Sequence, residues 1–400
     1  MHIRLLDGLR GYFLLIMTAA HIGSLFDNRL YKFSHVTWDL IDVAEGFVFL
    51  AGLVIAIAYV PRIAKRGHDW AKATLNGRLR VIFSYHLACT LIMGTLVYFG
   101  RGQTDIAQVS GMNDRVVLGT LMTALMLSGS YIVDILPMYV VFVAATPLIL
   151  RQLDRGNTIA VLFTSAGLWV IAQTQITAYV LMETNAFLGL TAESGLRLGL
   201  SFDRTAWQLF YVTGLTIGYH WVKGNVTLDA FRGPQARYVA VCSLVLLLCF
   251  MFLREHQGDA KRLFPGLIGG LDKWDVGVVR LANFATDAYL FTWLMVAGAD
   301  SRRIILRWIS VTIRWLLQTE PLCLLGRYSL QVYTYHVIVT YVLLVAIDRS
   351  TVSAEWQFIY STLGIFSIWP AALLYARFNR WQRDRQISGM PHQTPAVPPR

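Results

Sequence analysis

Charge is scarce in this 400-residue sequence: 15% of it is Asp, Glu, Lys or Arg, while 56% is hydrophobic. Soluble globular proteins carry about 25% charged residues, so this chain lacks the charge to cover a water-facing surface. A mean hydropathy of +0.51 agrees. Cysteine is equally sparse. Cys89, Cys242, Cys249 and Cys323 all fall inside apolar segments, and no CxxC or Cys/His spacing points to zinc. They read as small core residues. No cleavable leader is evident either: Arg10 runs into a long apolar stretch with no small-residue cleavage site, so the first helix is expected to be a retained span. Internal repeats and a separate soluble domain are also absent. The net charge of +11 is then better explained by basic cytoplasmic loops than by a nucleic-acid partner.

What the chain has instead is a series of long apolar runs, long enough to cross a ~30 Å hydrocarbon layer. Ten transmembrane helices are expected, near 9–26, 43–60, 81–100, 131–150, 158–182, 205–222, 237–253, 276–298, 323–347 and 356–376. The fold class is therefore all-α, a polytopic helix bundle in a lipid bilayer. The apolar stretch Val116–Ser128 is too short to cross and is expected to be half-buried or interfacial. With both termini in the cytoplasm, the inner segments hold 22 of the 35 Lys and Arg, as the positive-inside rule requires. A crossing at 116–128 would turn the Arg-rich 302–314 and 377–385 stretches outward. Residues 1–385 form one membrane domain, and the Pro-containing tail 386–400 is expected to be disordered and cytoplasmic.

Ionisable groups inside spans are costly and so are candidates for function. Asp7, Arg10, Leu14, Met17 and His21 recur at steps of three and four and share one helix face. Arg10 and His21 are eleven residues apart, roughly 16 Å of helix, so one face carries a cation at the inner mouth and an imidazole deep in the membrane. The plainer alternative is a packed His with Arg10 snorkelling to headgroups. Asp42 and Glu45 open the second span at the depth His21 approaches, where a carboxylate can orient an imidazole for general-base work. Glu45 can equally cap its helix. Arg78, Arg80, Tyr85 and His86 open the third span from the cytoplasm, where arginines suit phosphates or simply mark topology. Asp134 stands at an outer helix end, and Trp207 and Gln208 open the sixth span. Arg280, Asn283 and Asp287 share a face of the eighth; Ser329, Tyr333 and His336 share one in the ninth, which also carries Arg327. Two clusters result: an inner cationic one and an outer one mixing acid, imidazole and sugar-friendly groups.

These residues carry a resemblance. LLDGLRGYFLLIMTAAH resembles the opening of the membrane-bound acyltransferase 3 superfamily, in which an Arg and a His on the first helix are separated by ten residues. DVAEGFVFLAG (42–52), RLRVIFSYH (78–86), DILPMY (134–139), AWQLFYVTGL (206–215), RLANFA (280–285) and LGRYSLQVYTYH (325–336) resemble the OpgC branch, in order and over nearly the whole chain. One departure stands out: the family usually reads AEPFVFLSG, and here Gly46 and Ala51 replace the Pro and the Ser.

The resemblance implies a bacterial inner-membrane O-acyltransferase that adds succinyl groups to periplasmic glucans, with cytoplasmic succinyl-CoA as co-substrate and no cofactor or metal. His21 would be the general base, oriented by Glu45 or Asp42. CoA would lie on Arg10, Arg78, Arg80, Tyr85, His86 and Arg327. Asp134, Trp207, Gln208, Arg280 and His336 would serve the acceptor and the acyl chain, with Arg280 the partner of the succinyl carboxylate. A covalent acyl-His remains open. So do two other functions: an acetyltransferase acting on O-antigen or another surface polysaccharide, and a proton-coupled transporter or flippase. Transporters often carry repeated halves with matching broken helices, and none is evident here.

Overall fold

A computed structural model describes residues 4–26, 28–32, 34–100, 115–190, 196–263 and 267–388. Among these the chain is helical, with an isolated bridge between Ser128 and Gly199 as its one β feature. The elements that position the site are α1 (Arg4–Leu25), α2 (Val43–Phe99), α3 (Val116–Ala124), α4 (Ile135–Asp154), α5 (Thr158–Gln173), α6 (Ile176–Phe187) and α7 (Arg204–Val222), followed by α8 (Pro234–Glu255), α9 (Val278–Trp293), α10 (Ile304–Leu317), α11 (Glu320–Arg327), α12 (Ser329–Ala346), α13 (Ala354–Phe366) and α14 (Ile368–Ser388).

Local chemistry sets the helix limits. Asp42 and Glu45 form a reciprocal capping box at the start of α2, satisfying N–H groups that have no partner within the helix. Gly67, at φ 81° and ψ 170°, breaks α2 into arms 43–66 and 68–99, so the second and third expected spans are two arms of one element. The expected 158–182 span is also broken. Its two halves, α5 and α6, meet at a 53° bend, with Gln175 at φ 61°. The cause is polar: the Gln173 and Gln175 side chains both leave the helix to bond Asp275. At nine residues, α3 is about 14 Å long at ~1.5 Å per residue, well short of a bilayer core. The helix α14 continues to Ser388, and the rest of the expected disordered tail lies outside the described residues.

Among the described residues six helices are long and apolar enough to cross a membrane, or seven if the bent α5–α6 pair is one span. All ten expected segments fall on helices, but α7 and α9 do not qualify. They carry the polar groups: Arg204 and Gln208 on one, Arg280, Asn283 and Asp287 on the other. The outer faces are apolar. On α8, Val241, Leu244, Val245, Leu248 and Phe252 are exposed, the reverse of a water-soluble helix and what lipid accepts.

Several helix pairs touch backbone to backbone, α1 and α10 among them at Gly8 and Leu317. A Cβ on Gly52 would lie 2.1 Å from the Tyr211 carbonyl oxygen, and one on Gly214 would lie 2.1 Å from that of Phe49, locking α2 to α7. A Cβ on Gly11 or Gly326 would meet a carbonyl oxygen at 1.9 or 1.8 Å, so α1 and α11 are in equally close contact. Small residues at such seams suit helix packing in lipid, where apolar burial between helices brings little gain.

Candidate active site

His21 sits near the end of α1, half-buried, and opens onto a cavity of about 150 Å³. The cavity is walled by α1, the start of α2, Tyr131, Phe202 and the 271–277 loop. Behind the cavity, His21 Nδ1 lies 3.0 Å from Nε2 of His336 on α12. The two rings are inclined by 27° with centroids 5.2 Å apart. His336 was expected to serve the acceptor; it is instead fully buried behind His21.

The carboxylates do not bond His21. Glu45, 1% exposed, accepts the Asp42 N–H (3.0 Å) on one oxygen and Arg280 Nε (3.0 Å) and Nη2 on the other. Glu45, the expected orienter, and Arg280, the expected acyl anchor, are thus bound to each other in a buried ion pair that ties α9 to the cap of α2. Such a pair meets its own desolvation cost only because both partners are hydrogen-bonded. Asp42 does face the cavity, but its oxygens are taken by the Val43 N–H (2.7 Å) and Lys273 Nζ (2.5 Å). Burial alone would raise the Asp42 carboxyl; the Lys273 ammonium, the Val43 N–H and Arg280 outweigh it and hold the group down at about 2.

Lys273 is the sole Lys or Arg among the described residues lining the cavity. Its loop is tethered from several sides. The Asp203 N–H and Trp207 Nε1 both donate to the Trp274 carbonyl (3.1 and 3.0 Å), Trp169 Nε1 to that of Val276 (2.9 Å), and Gln173 Nε2 to that of Asp275 (2.6 Å). Buried Val276 sits at φ 52°, a strained conformation for a β-branched residue, which these tethers maintain. The Phe202 and Trp274 rings flank the ammonium at 5.9 and 5.5 Å.

Trp207 and Gln208 thus act at one remove from the cavity. Trp207 is fully buried and holds the Trp274 carbonyl. Gln208 joins α7 to α5 by accepting from Ser165 Oγ and donating to its carbonyl, each at 2.7 Å. Asp134 accepts the Ser201 N–H (2.5 Å) and closes two loops together.

At the other end of α1, Arg10 donates to Ser329 Oγ, and Arg78 and Tyr139 lie close enough to act on its charge. The remaining expected donor-site residues do not all converge. Arg80 is exposed and lies about 200° around the helix from Arg78. Tyr85 accepts from Gln331 (3.3 Å), which also donates to Tyr375 (3.1 Å). His86 is fully buried, with Nε2 2.9 Å from the Thr123 carbonyl, and seals α2 to α3. Arg327 is held within α11 by Glu320 and the Cys323 carbonyl.

The ordered motifs that supply these residues are matched at the level of the whole chain: residues 2–380 fit the family model described as OpgC protein. The chain belongs to the OpgC family. No curated protein and no solved structure matches it. Membership and the apolar helices together support a membrane protein with transferase activity of the acyltransferase type, and at family level a glucan succinyltransferase-type role. Within this OpgC chain, Gly46 has a local reason: a Cβ there would lie 2.5 Å from the Phe13 ring. Sequence reasoning missed Lys273 and Tyr131, which lie at or beyond the edges of the expected spans and share no helical period with His21. The one available signal for Lys273 was a cation beside Trp274 just before a span.

Proposed function

We propose that this chain is a ten-span O-acyltransferase of the bacterial inner membrane, with both termini cytoplasmic, that moves a succinyl group from cytoplasmic succinyl-CoA to hydroxyls of periplasmic glucans. The observation that carries this reading is the opening of His21 onto a cavity that also holds Asp42 and Lys273 while Arg10, roughly 16 Å away on the same helix, lies near Arg78 at the opposite end. An anionic CoA headgroup suits the arginines, and its pantetheine arm would run along the α1 face towards His21. A sugar hydroxyl is a weak nucleophile at neutral pH. His21 takes its proton as general base, the oxygen attacks the thioester carbonyl, and the C–S bond breaks. The imidazolium returns its proton to the leaving thiolate, so free CoA and a succinyl ester are the products. Lys273 supplies the cation for the succinyl carboxylate, a task Arg280 cannot share while it is bound to Glu45.

The test uses purified protein in lipid nanodiscs, succinyl-CoA and a β-glucan, with released thiol and ester-linked succinate both measured. Equal thiol and ester are expected, and His21→Ala should lower turnover by roughly 10²-fold or more, the scale of a lost general base. Wild-type turnover in a folded His21→Ala protein overturns the assignment, and the absence of acyl transfer from any CoA donor overturns the function.

A further inference from the structure

We infer that His336 is a positioning residue that fixes the tautomer of His21, so that His21 Nε2 meets the cavity without a proton. The inference rests on the reading of His21 as the base.

His336 Nδ1 is buried and no donor reaches it, Nε2 is taken up by His21, and the backbones of Val332 and Tyr333, one helical turn earlier, offer acceptors to the ring. A lone pair aimed at carbonyl oxygens is unfavourable, so in the neutral ring Nδ1 carries the proton. His336 Nε2 is then an acceptor. Its neighbour at 3.0 Å is His21 Nδ1, which must donate. A neutral His21 with its proton on Nδ1 has its lone pair on Nε2, the nitrogen left to the cavity. That is the form a general base needs.

The ring that imposes this order is itself held. The Tyr333 ring packs edge-on against His336 at 4.9 Å and 76°, and the Tyr333 hydroxyl donates to the Ile132 carbonyl at 2.5 Å. Catalytic imidazoles are commonly oriented by a carboxylate. A second neutral imidazole does the same work without placing another charge inside the membrane, where an unpaired carboxylate is costly. It also explains why Glu45 is free to pair with Arg280. When His21 takes up the hydroxyl proton on Nε2, the Nδ1–H···Nε2 bond spreads the new positive charge over both rings, and the charge leaves when the thiolate is protonated.

The test compares His336→Leu with His336→Gln in the nanodisc assay. Leu offers no acceptor, whereas the Gln carbonyl oxygen can stand where Nε2 stood. Leu should lower kcat by roughly 10²-fold or more with KM for acyl-CoA and glucan changed little, and Gln should recover to within about tenfold of wild type. A folded Leu variant with wild-type kcat, or Leu and Gln variants that are folded and equally impaired, overturns the inference. Nitrogen-15 NMR of His-labelled wild-type protein gives an independent readout that needs no variant: protonated Nδ1 on His21 is expected, and protonated Nε2 overturns it. If His21→Ala is inactive but His336→Leu is not, only this inference fails; if His21→Ala is fully active, the reading of the base fails first.

Discussion

Replacing Lys273 with Met should change which acyl donor the protein prefers. The Lys273 ammonium has three N–H donors, and Asp42 engages it at 2.5 Å, leaving donors for a second anion in the cavity. Succinyl differs from acetyl by a terminal carboxylate, which is expensive to bury unpaired. A hydrogen bond to a charged group contributes about 1.5–3 kcal/mol net, which corresponds to roughly 10- to 150-fold in kcat/KM for succinyl-CoA. Acetyl-CoA makes no such contact. Lys273→Met alone also strands Asp42, whose side chain is 19% exposed, so the decisive protein is the Lys273→Met/Asp42→Asn double variant, in which no lone charge remains. Its kcat/KM for the two donors should be measured side by side by thiol release. The expected result is a large loss with succinyl-CoA and a small one with acetyl-CoA. Equal losses would refute the reasoning and make Lys273 a support for the α2 cap or a contact for glucan.

Gly326→Ala should destabilise the protein by about 1–3 kcal/mol or more, the scale of overpacking, because its Cβ would meet the Asp7 carbonyl oxygen; thermal unfolding in detergent checks this, with Gly224→Ala, whose Cβ meets nothing within 4 Å but whose φ of 78° is strained for Ala, showing the cost of backbone strain alone. Asp42 is depressed from 3.8 to about 2, so its contribution of about 2 kcal/mol is fully present above pH 4 and is lost as pH falls through 2. Wild-type protein should therefore lose more stability than Asp42→Asn between pH 5 and pH 2.5, and identical losses would count against the Lys273–Asp42 pair. Arg10→Ala should raise KM for acyl-CoA and weaken its salt dependence, whereas unchanged donor binding would place the CoA headgroup elsewhere.

The parts of the site that could be read in the sequence are those that lie on one helix. The Arg10–His21 face follows from 3.6-residue periodicity alone, and the Asp42–Glu45 capping box from its local spacing. Partnerships between helices were not legible. Glu45 is 235 residues from Arg280, His21 is 315 from His336 and Asp42 is 231 from Lys273; nothing in a single sequence says which acid meets which base across such distances. The same limit explains the sorting of the inner cations. Arg10, Arg78, Arg80 and Arg327 are alike as sequence signals, yet helix phase separates Arg80 from Arg78, and Glu320 holds Arg327 within its own helix.

One physical preference accounts for most of these reassignments. In a membrane a charged group needs a partner at close range, so the acids and bases that look most reactive in the sequence are those most apt to be consumed by each other. Glu45 and Arg280 are the clearest case: each is nearly inaccessible, and each satisfies the other. What remains for chemistry is then the group that can stay neutral. His21 needs no counter-ion in its resting form, and a second imidazole behind it supplies direction without charge. The partly buried Lys273, in contact with Asp42 and the cavity at once, is the one cation among the described residues lining that cavity. Under the proposed function, chemistry and charge recognition would be divided between two elements, with the proton transferred on α1 and the anion held by the tethered 271–277 loop.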